Sequence, residues 1–258
     1  MPNEIESTTI AGTRVNSNVQ GAQNAFAGFK IDSSDFLDSI EGRTLCDKCH
    51  RSRKFFCYKC YLPMPPLEGR IPSVELPIHI DIVKHPQEID GKSTATHGPI
   101  LAPNSISMCT YPDLPDSSRS ILVFPSDDAE EAEVFMERVK KENSGTFPYD
   151  RIIFVDSTWN QTYRIVHDER IADLPKIKLS GIESLFWRYQ RGNPTTYLAT
   201  IEAVYHVCRI YHGVFISEPY RGEYDNLLFF FYYMFHKIRK LYDPKSLRAY
   251  ATRPHLRE

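Results

Sequence analysis

The 258-residue chain is predicted to be an α/β protein built on a largely parallel sheet, and three observations carry that prediction. Apolar, strand-like runs occur at IHIDIV (78–83), SILVF (120–124), RIIFV (151–155) and KIKL (176–179). Helical periodicity fills the stretches between and after them, at about 127–142, 159–168, 196–213 and 223–242. Strands that alternate with helices are joined by crossovers, which lay helices on both faces of a mostly parallel sheet. Finally, a Pro-dense connector, YLPMPPLEGRIPSVELP, forbids regular helix and sets this domain apart from a small cysteine-bearing module.

The elements follow in order. Residues 1–30 are rich in Asn, Ser, Gln, Gly and Thr and hold too few large apolar groups to offset the entropy of ordering, so a disordered tail is expected. Residues 31–70 combine a short helix over SSDFLDSIEG, four clustered cysteines and the connector. Residues 71–243 form the α/β domain, and 244–258 a basic tail. From His236 onward the chain carries seven Lys or Arg against two acids, a pattern that suits either a phosphate-tracking surface or a solvated end.

Composition excludes several classes. The 31 basic and 33 acidic residues nearly cancel, so a nucleic-acid partner must be met by a local patch. The N-terminus lacks the basic start and apolar core of a secretory signal, and the longest apolar stretch, Leu227 to Phe235, is under half the roughly 20 residues a membrane-spanning helix needs. A buried helix in a protein of a reducing compartment is the expectation. Nothing in the chain sets an oligomeric state, and a monomer is compatible with it.

Cys46 and Cys49, then Cys57 and Cys60, form two CxxC pairs separated by seven residues. Each pair can direct two thiolates at one ion, and four thiolates complete the tetrahedral shell of a structural zinc, leaving no open position for catalysis. The intervening loop places Arg51, Arg53 and Lys54 beside Phe55 and Phe56. That pairing suits phosphate contact and base stacking, and equally a solvated loop with core aromatics. Cys109 and Cys208 stand alone and are expected to pack as small apolar residues.

In parallel sheets, ligand-bearing residues lie past the carboxyl ends of strands. Asp156-Ser157-Thr158-Trp159 occupies that position after RIIFV, although Asp or Ser there serves a helix N-cap equally well. Ser126 lies after SILVF, with a hydroxyl that can meet a ligand or cap a helix. His85, Glu88 and Lys92 follow IHIDIV.

These segments resemble the DTW-domain family. DSTW matches its signature, Lys84-His85-Pro86-Gln87-Glu88 with Lys92-Ser93-Thr94-Ala95-Thr96 is similar to its HPxE segment, and Tyr197 to Ala203 is similar to its LSTxEA segment. With the paired CxxC ahead, the match runs in order from about 43 to 215. Lys92 stands where Arg is usual, Ala95 interrupts a threonine pair, and Ala199 replaces Ser.

The resemblance implies a knotted, SPOUT-like fold. It also implies transfer of the 3-amino-3-carboxypropyl group of S-adenosylmethionine to N3 of a tRNA uridine, releasing methylthioadenosine. The match is closest to the eukaryotic tRNA-modifying branch, which suggests a nuclear location. Asp156 is then the base. Ser126, Thr158, Trp159, Leu198, Ala199, Thr200 and Glu202 are expected on the cofactor side. His85, Glu88, Lys92, Arg51 and Arg53 are expected on the RNA side. A related methyltransferase and a non-catalytic zinc-ribbon RNA-binding protein are the alternatives.

Overall fold

The computed structural model describes residues 25–188 and 194–242. Six strands form one sheet in the order β6-β5-β9-β7-β10-β8, and every pairing is parallel. They are β5 (His79–Lys84), β6 (Ile106–Thr110), β7 (Ser120–Val123), β8 (Glu130–Glu131), β9 (Arg151–Asp156) and β10 (Lys176–Lys178). The four expected runs are all strands. β6 and β8 are additions that the sequence does not announce.

Side chains alternate across the sheet and bury both faces. Ile80, Ile82, Ile121, Ile152, Phe154 and Ile177 pack into one core with helices α2 (Ala132–Glu142), α4 (Thr200–Phe215) and α5 (Phe229–Leu241). Their neighbours Val83, Leu122 and Ile153 face the other way, against Ile165, Val166 and Ile171 at and beyond α3 (Trp159–Val166). A short helix, α1 (His97–Leu101), lies between β5 and β6. Phe229, Phe230, Phe231 and Phe235 are all buried, so the aromatic run is a core helix. No helix among the described residues is long and apolar enough to cross a membrane.

The cysteine module is two minimal hairpins. β1 (Thr44–Leu45) pairs antiparallel with β2 (Ser52–Arg53), and β3 (Phe56–Cys57) with β4 (Leu62–Pro63). Each hairpin closes the same knuckle: the His50 N–H donates to Cys46 O and the Tyr61 N–H to Cys57 O, both at 2.7 Å. His50 and Tyr61 take left-handed φ values of 54° and 55°.

Two local differences have simple causes. The SSDFLDSIEG segment forms a 3-10 turn over Asp35–Ser39 and not an α-helix, because Leu37 is its only buried residue and the Ser34 side chain makes no cap. Residues 25–30, which composition assigns to the tail, pack down through Phe26, whose ring meets those of Phe29, Tyr232 and Phe235. Phe29 packs on Tyr205 beside it, and the Lys30 N–H donates to Asp225 Oδ2 at 2.7 Å, so two aromatics and a backbone bond anchor the end of the tail. The rest of the tail and the basic stretch 244–258 lie outside the described residues.

Candidate active site

Asp156 is the last residue of β9, a central strand, and is only 6% exposed. It does not cap the helix that follows. Thr158 occupies the N-cap of α3, and there too no side chain bonds the helix backbone. The Asp156 carboxylate turns instead to two hydroxyls from distant segments. Ser93 Oγ donates to Oδ2 and Thr200 Oγ1 to Oδ1, each at 2.7 Å. Ser93 belongs to the loop after β5, and Thr200 is the first residue of α4. Three stretches far apart in the sequence therefore converge on one carboxylate.

The electrostatics around it are mixed. Burial raises the Asp156 pKa, the Thr200 and Ser93 hydrogen bonds lower it, Lys84 lowers it and Asp90 raises it, with a net upward shift. Lys84 faces Asp156 in the register of β5 with β9, is itself buried, and forms an ion pair with Asp90. Glu88 is also raised, first by burial and then by the charge of Asp156. Lys84, which opens the HPxE-like segment without a role there, and Asp90 are parts of the site that motif reading does not single out. A cross-strand register would have found Lys84, but no sequence pattern prints a register.

The remaining residues sort by position. Ser126 lies in the turn after β7, where its N–H donates to Phe124 O at 2.9 Å. α2 begins only at Ala132 with Glu131 at its N-cap, so Ser126 is not that helix's cap. Thr158 is exposed beside Asp156, and the side chain of Trp159 lies outside the described residues. Leu198 is half-buried and Ala199 is buried at the N-cap of α4. Glu202 is buried, and its oxygens accept from Ser184 Oγ, the Leu185 N–H and the Ala199 N–H, each at 2.7 Å. Its carboxylate thus braces the α4 entrance. His85 is half-buried, and its Nδ1 accepts the Gln87 N–H at 3.2 Å. Lys92 is exposed and its carbonyl accepts from Arg188.

The module supplies the other wall. Arg53 is buried with its guanidinium 3.9 Å over the Tyr58 ring, whereas Arg51 is exposed and points its carbonyl at the Cys46 N–H. Tyr58 in turn abuts the loop that bears Ser93: a Cβ on Gly91 would lie 3.3 Å from its ring. Arg53 and Lys92 line one cavity with Ser93, and Arg51 does not.

The Sγ atoms of Cys46, Cys49, Cys57 and Cys60 all lie within 4.8 Å of one another, a group able to hold a metal ion. Cys49 Sγ and Cys57 Sγ are 3.5 Å apart. A tetrahedron with metal–sulfur bonds of about 2.3 Å has sulfur edges of roughly 3.8 Å, so the donor set fits zinc. Cys208 is buried, and Cys109 Sγ donates to Asp113 O, so neither joins this group.

The DTW domain family model matches residues 54–239. The chain is 37% identical over 254 residues to the tRNA-uridine aminocarboxypropyltransferase 1 of Xenopus tropicalis, covering 83% of this chain and 86% of the relative. It is 38% identical to that of Mus musculus and 39% to that of Homo sapiens, each over 237 residues, 77% of this chain and 78% of theirs. No solved structure matches. On the extent of both matches, the chain belongs to the DTW-domain family.

Proposed function

We propose that the chain is a tRNA-uridine aminocarboxypropyltransferase that moves the 3-amino-3-carboxypropyl group of S-adenosylmethionine to N3 of a uridine. The observation that carries this reading is the convergence of three segments on Asp156 through Ser93 and Thr200. The relatives' names support the same reaction.

The bound donor would supply a sulfonium whose departure as a neutral thioether drives the transfer. The chain's own part is to place N3 and take its proton. N3 of uridine is a weak acid, so attack benefits from a base that accepts the proton as the N3–carbon bond forms and the carbon–sulfur bond breaks. An ionised carboxylate has about four acceptor positions, and Asp156 spends two of them on hydroxyls. Those hydroxyls keep it oriented, while burial raises its affinity for the incoming proton. The N-terminal end of α4, with Leu198, Ala199 and Thr200, would line the adenine side of the site. Ser126, Thr158 and Trp159 would face the amino-acid arm, and His85, Glu88 and Lys92 the RNA. Glu202 would act by holding that α4 entrance in place. A zinc ion on the four cysteines would fix the module without taking part in the reaction.

The test uses tRNA incubated with S-adenosylmethionine labelled in its carboxyl carbon or in its methyl carbon. Carboxyl label alone should enter the RNA. Methyl label alone would make the chain a methyltransferase, and no label in the RNA would leave only a binding protein.

A further inference from the structure

Between the cysteine module and the loop after β5 lies a cavity of about 190 Å³. Five cations line it, Arg43, Arg53, Lys54, Lys92 and Arg188, against one acid, Asp90, which is already paired with Lys84. In a chain of formal net charge −2 this is a local concentration of positive charge. Phe55, Phe56, Tyr58 and Trp187 add ring surface to the same walls.

Two nitrogens in the lining residues are buried with no hydrogen-bond partner among the described residues: His97 Nδ1 and Arg53 Nε. Their residues are only 6% and 8% exposed. Buried polar nitrogens are nearly always bonded, and a pair of orphans on one cavity marks a place for an absent polar ligand. Phe56 and Phe230 hold the His97 ring, with centroids at 5.6 and 5.7 Å. Burial and Arg188 keep it neutral, so Nδ1 is free to donate or to accept.

We infer that this cavity holds an unstacked nucleotide of the substrate RNA next to the reacting uridine, an inference that rests on the transferase reading above. Cations with ring faces are what a phosphate and a base together require. S-adenosylmethionine fits poorly, since it brings a sulfonium and an ammonium into a group of five cations. The occupant neighbours the target and is not the target itself. Ser93 lines the cavity and binds Asp156, whereas Asp156 does not line it.

Two experiments test this on the full-length, metal-loaded protein. In the first, tRNA transcribed with 4-thiouridine is irradiated on the unmodified protein and the crosslinked peptides are mapped. Crosslinks should fall within 53–58, 92–97 or Trp187–Arg188, and crosslinks confined to other regions would overturn the cavity. The second measures carboxyl-label transfer by Lys54→Ala and His97→Gln. KM for tRNA should rise roughly tenfold or more while kcat and the affinity for S-adenosylmethionine stay within about twofold. The salt slope of tRNA binding should shrink by about 0.7 for Lys54→Ala. If the unaltered enzyme transfers no label, the transferase reading fails, and the crosslinks still decide the cavity. Transfer with unchanged KM and salt slope in folded variants refutes the cavity alone. Loss of S-adenosylmethionine affinity at unchanged KM for tRNA would give the cavity to the donor and overturn the inference.

Discussion

Asp156 accepts hydrogen bonds from Ser93 and Thr200, residues 63 and 44 positions away in the chain, and both bonds stabilise its charged form against burial. Removing either donor therefore raises its pKa further. Ser93→Ala or Thr200→Val should move the acidic limb of the transfer rate to higher pH, because fewer molecules then carry the carboxylate. A limb that stays in place in both variants would detach the hydroxyls from the chemistry. The raised pKa also has a stability sign. The contribution of Asp156 is present below its unfolded value of about 3.9 and lost as pH rises through the folded value, so the ionised group costs stability at neutral pH. Asp156→Asn should match or exceed the parent in denaturant midpoint at pH 7, and a lowered midpoint would contradict this. The carboxylate itself was legible as a strand-end Asp, but its partners were not. Contacts between loops of different strands depend on sheet order, and DSTW alone reads equally as a helix cap.

At the scale of elements, α4 begins with half a capping box. Glu202 accepts the Ala199 N–H, but Ala199 has no hydroxyl to accept a helix N–H in return. Ala199→Ser, which restores the family pattern, should raise stability by about 0.5–2 kcal/mol in a denaturant titration. The contact of Tyr58 with Gly91 couples the cysteine module to the loop that carries Ser93. Stripping metal from the four cysteines should therefore lower transfer strongly without any metal chemistry, and readdition of zinc should restore it. Full activity of a verified metal-free protein would refute the coupling. The strong apolar runs and long periodic helices could be read from sequence, since burial on both faces leaves a clear signature. β6, ISMCT, has mixed burial, β8 is two residues long, and α1 contains Gly and Pro, so none carries a period that stands out.

Across the whole molecule, one aromatic and apolar core joins α2, α4, α5 and one face of the sheet, and a second one seats α5 against the cysteine module through Phe230 and Phe56. Burial pushes His97 down to about 3 and His206 to about 4. Both values lie below the unfolded value of about 6.5, so this stability is present above about 6.5 and lost as pH falls towards the folded values. Denaturant midpoints should drop steadily from pH 7 to 4, and a flat profile would contradict the buried, neutral state of these rings. The parallel architecture was legible because it follows from alternation alone. The meeting of module and sheet was not, because no residue pattern records which surfaces two segments distant in the chain bring together.

Asp156 is the proton acceptor on which the proposed transfer depends, and single-turnover transfer of the carboxyl label by Asp156→Asn tests that role. With S-adenosylmethionine and tRNA affinities intact, transfer should fall by about a hundredfold or more, and the rate of the unaltered enzyme should decline on the acid side through a pKa above the usual carboxylate value. Near-normal turnover by a folded Asp156→Asn protein would contradict it.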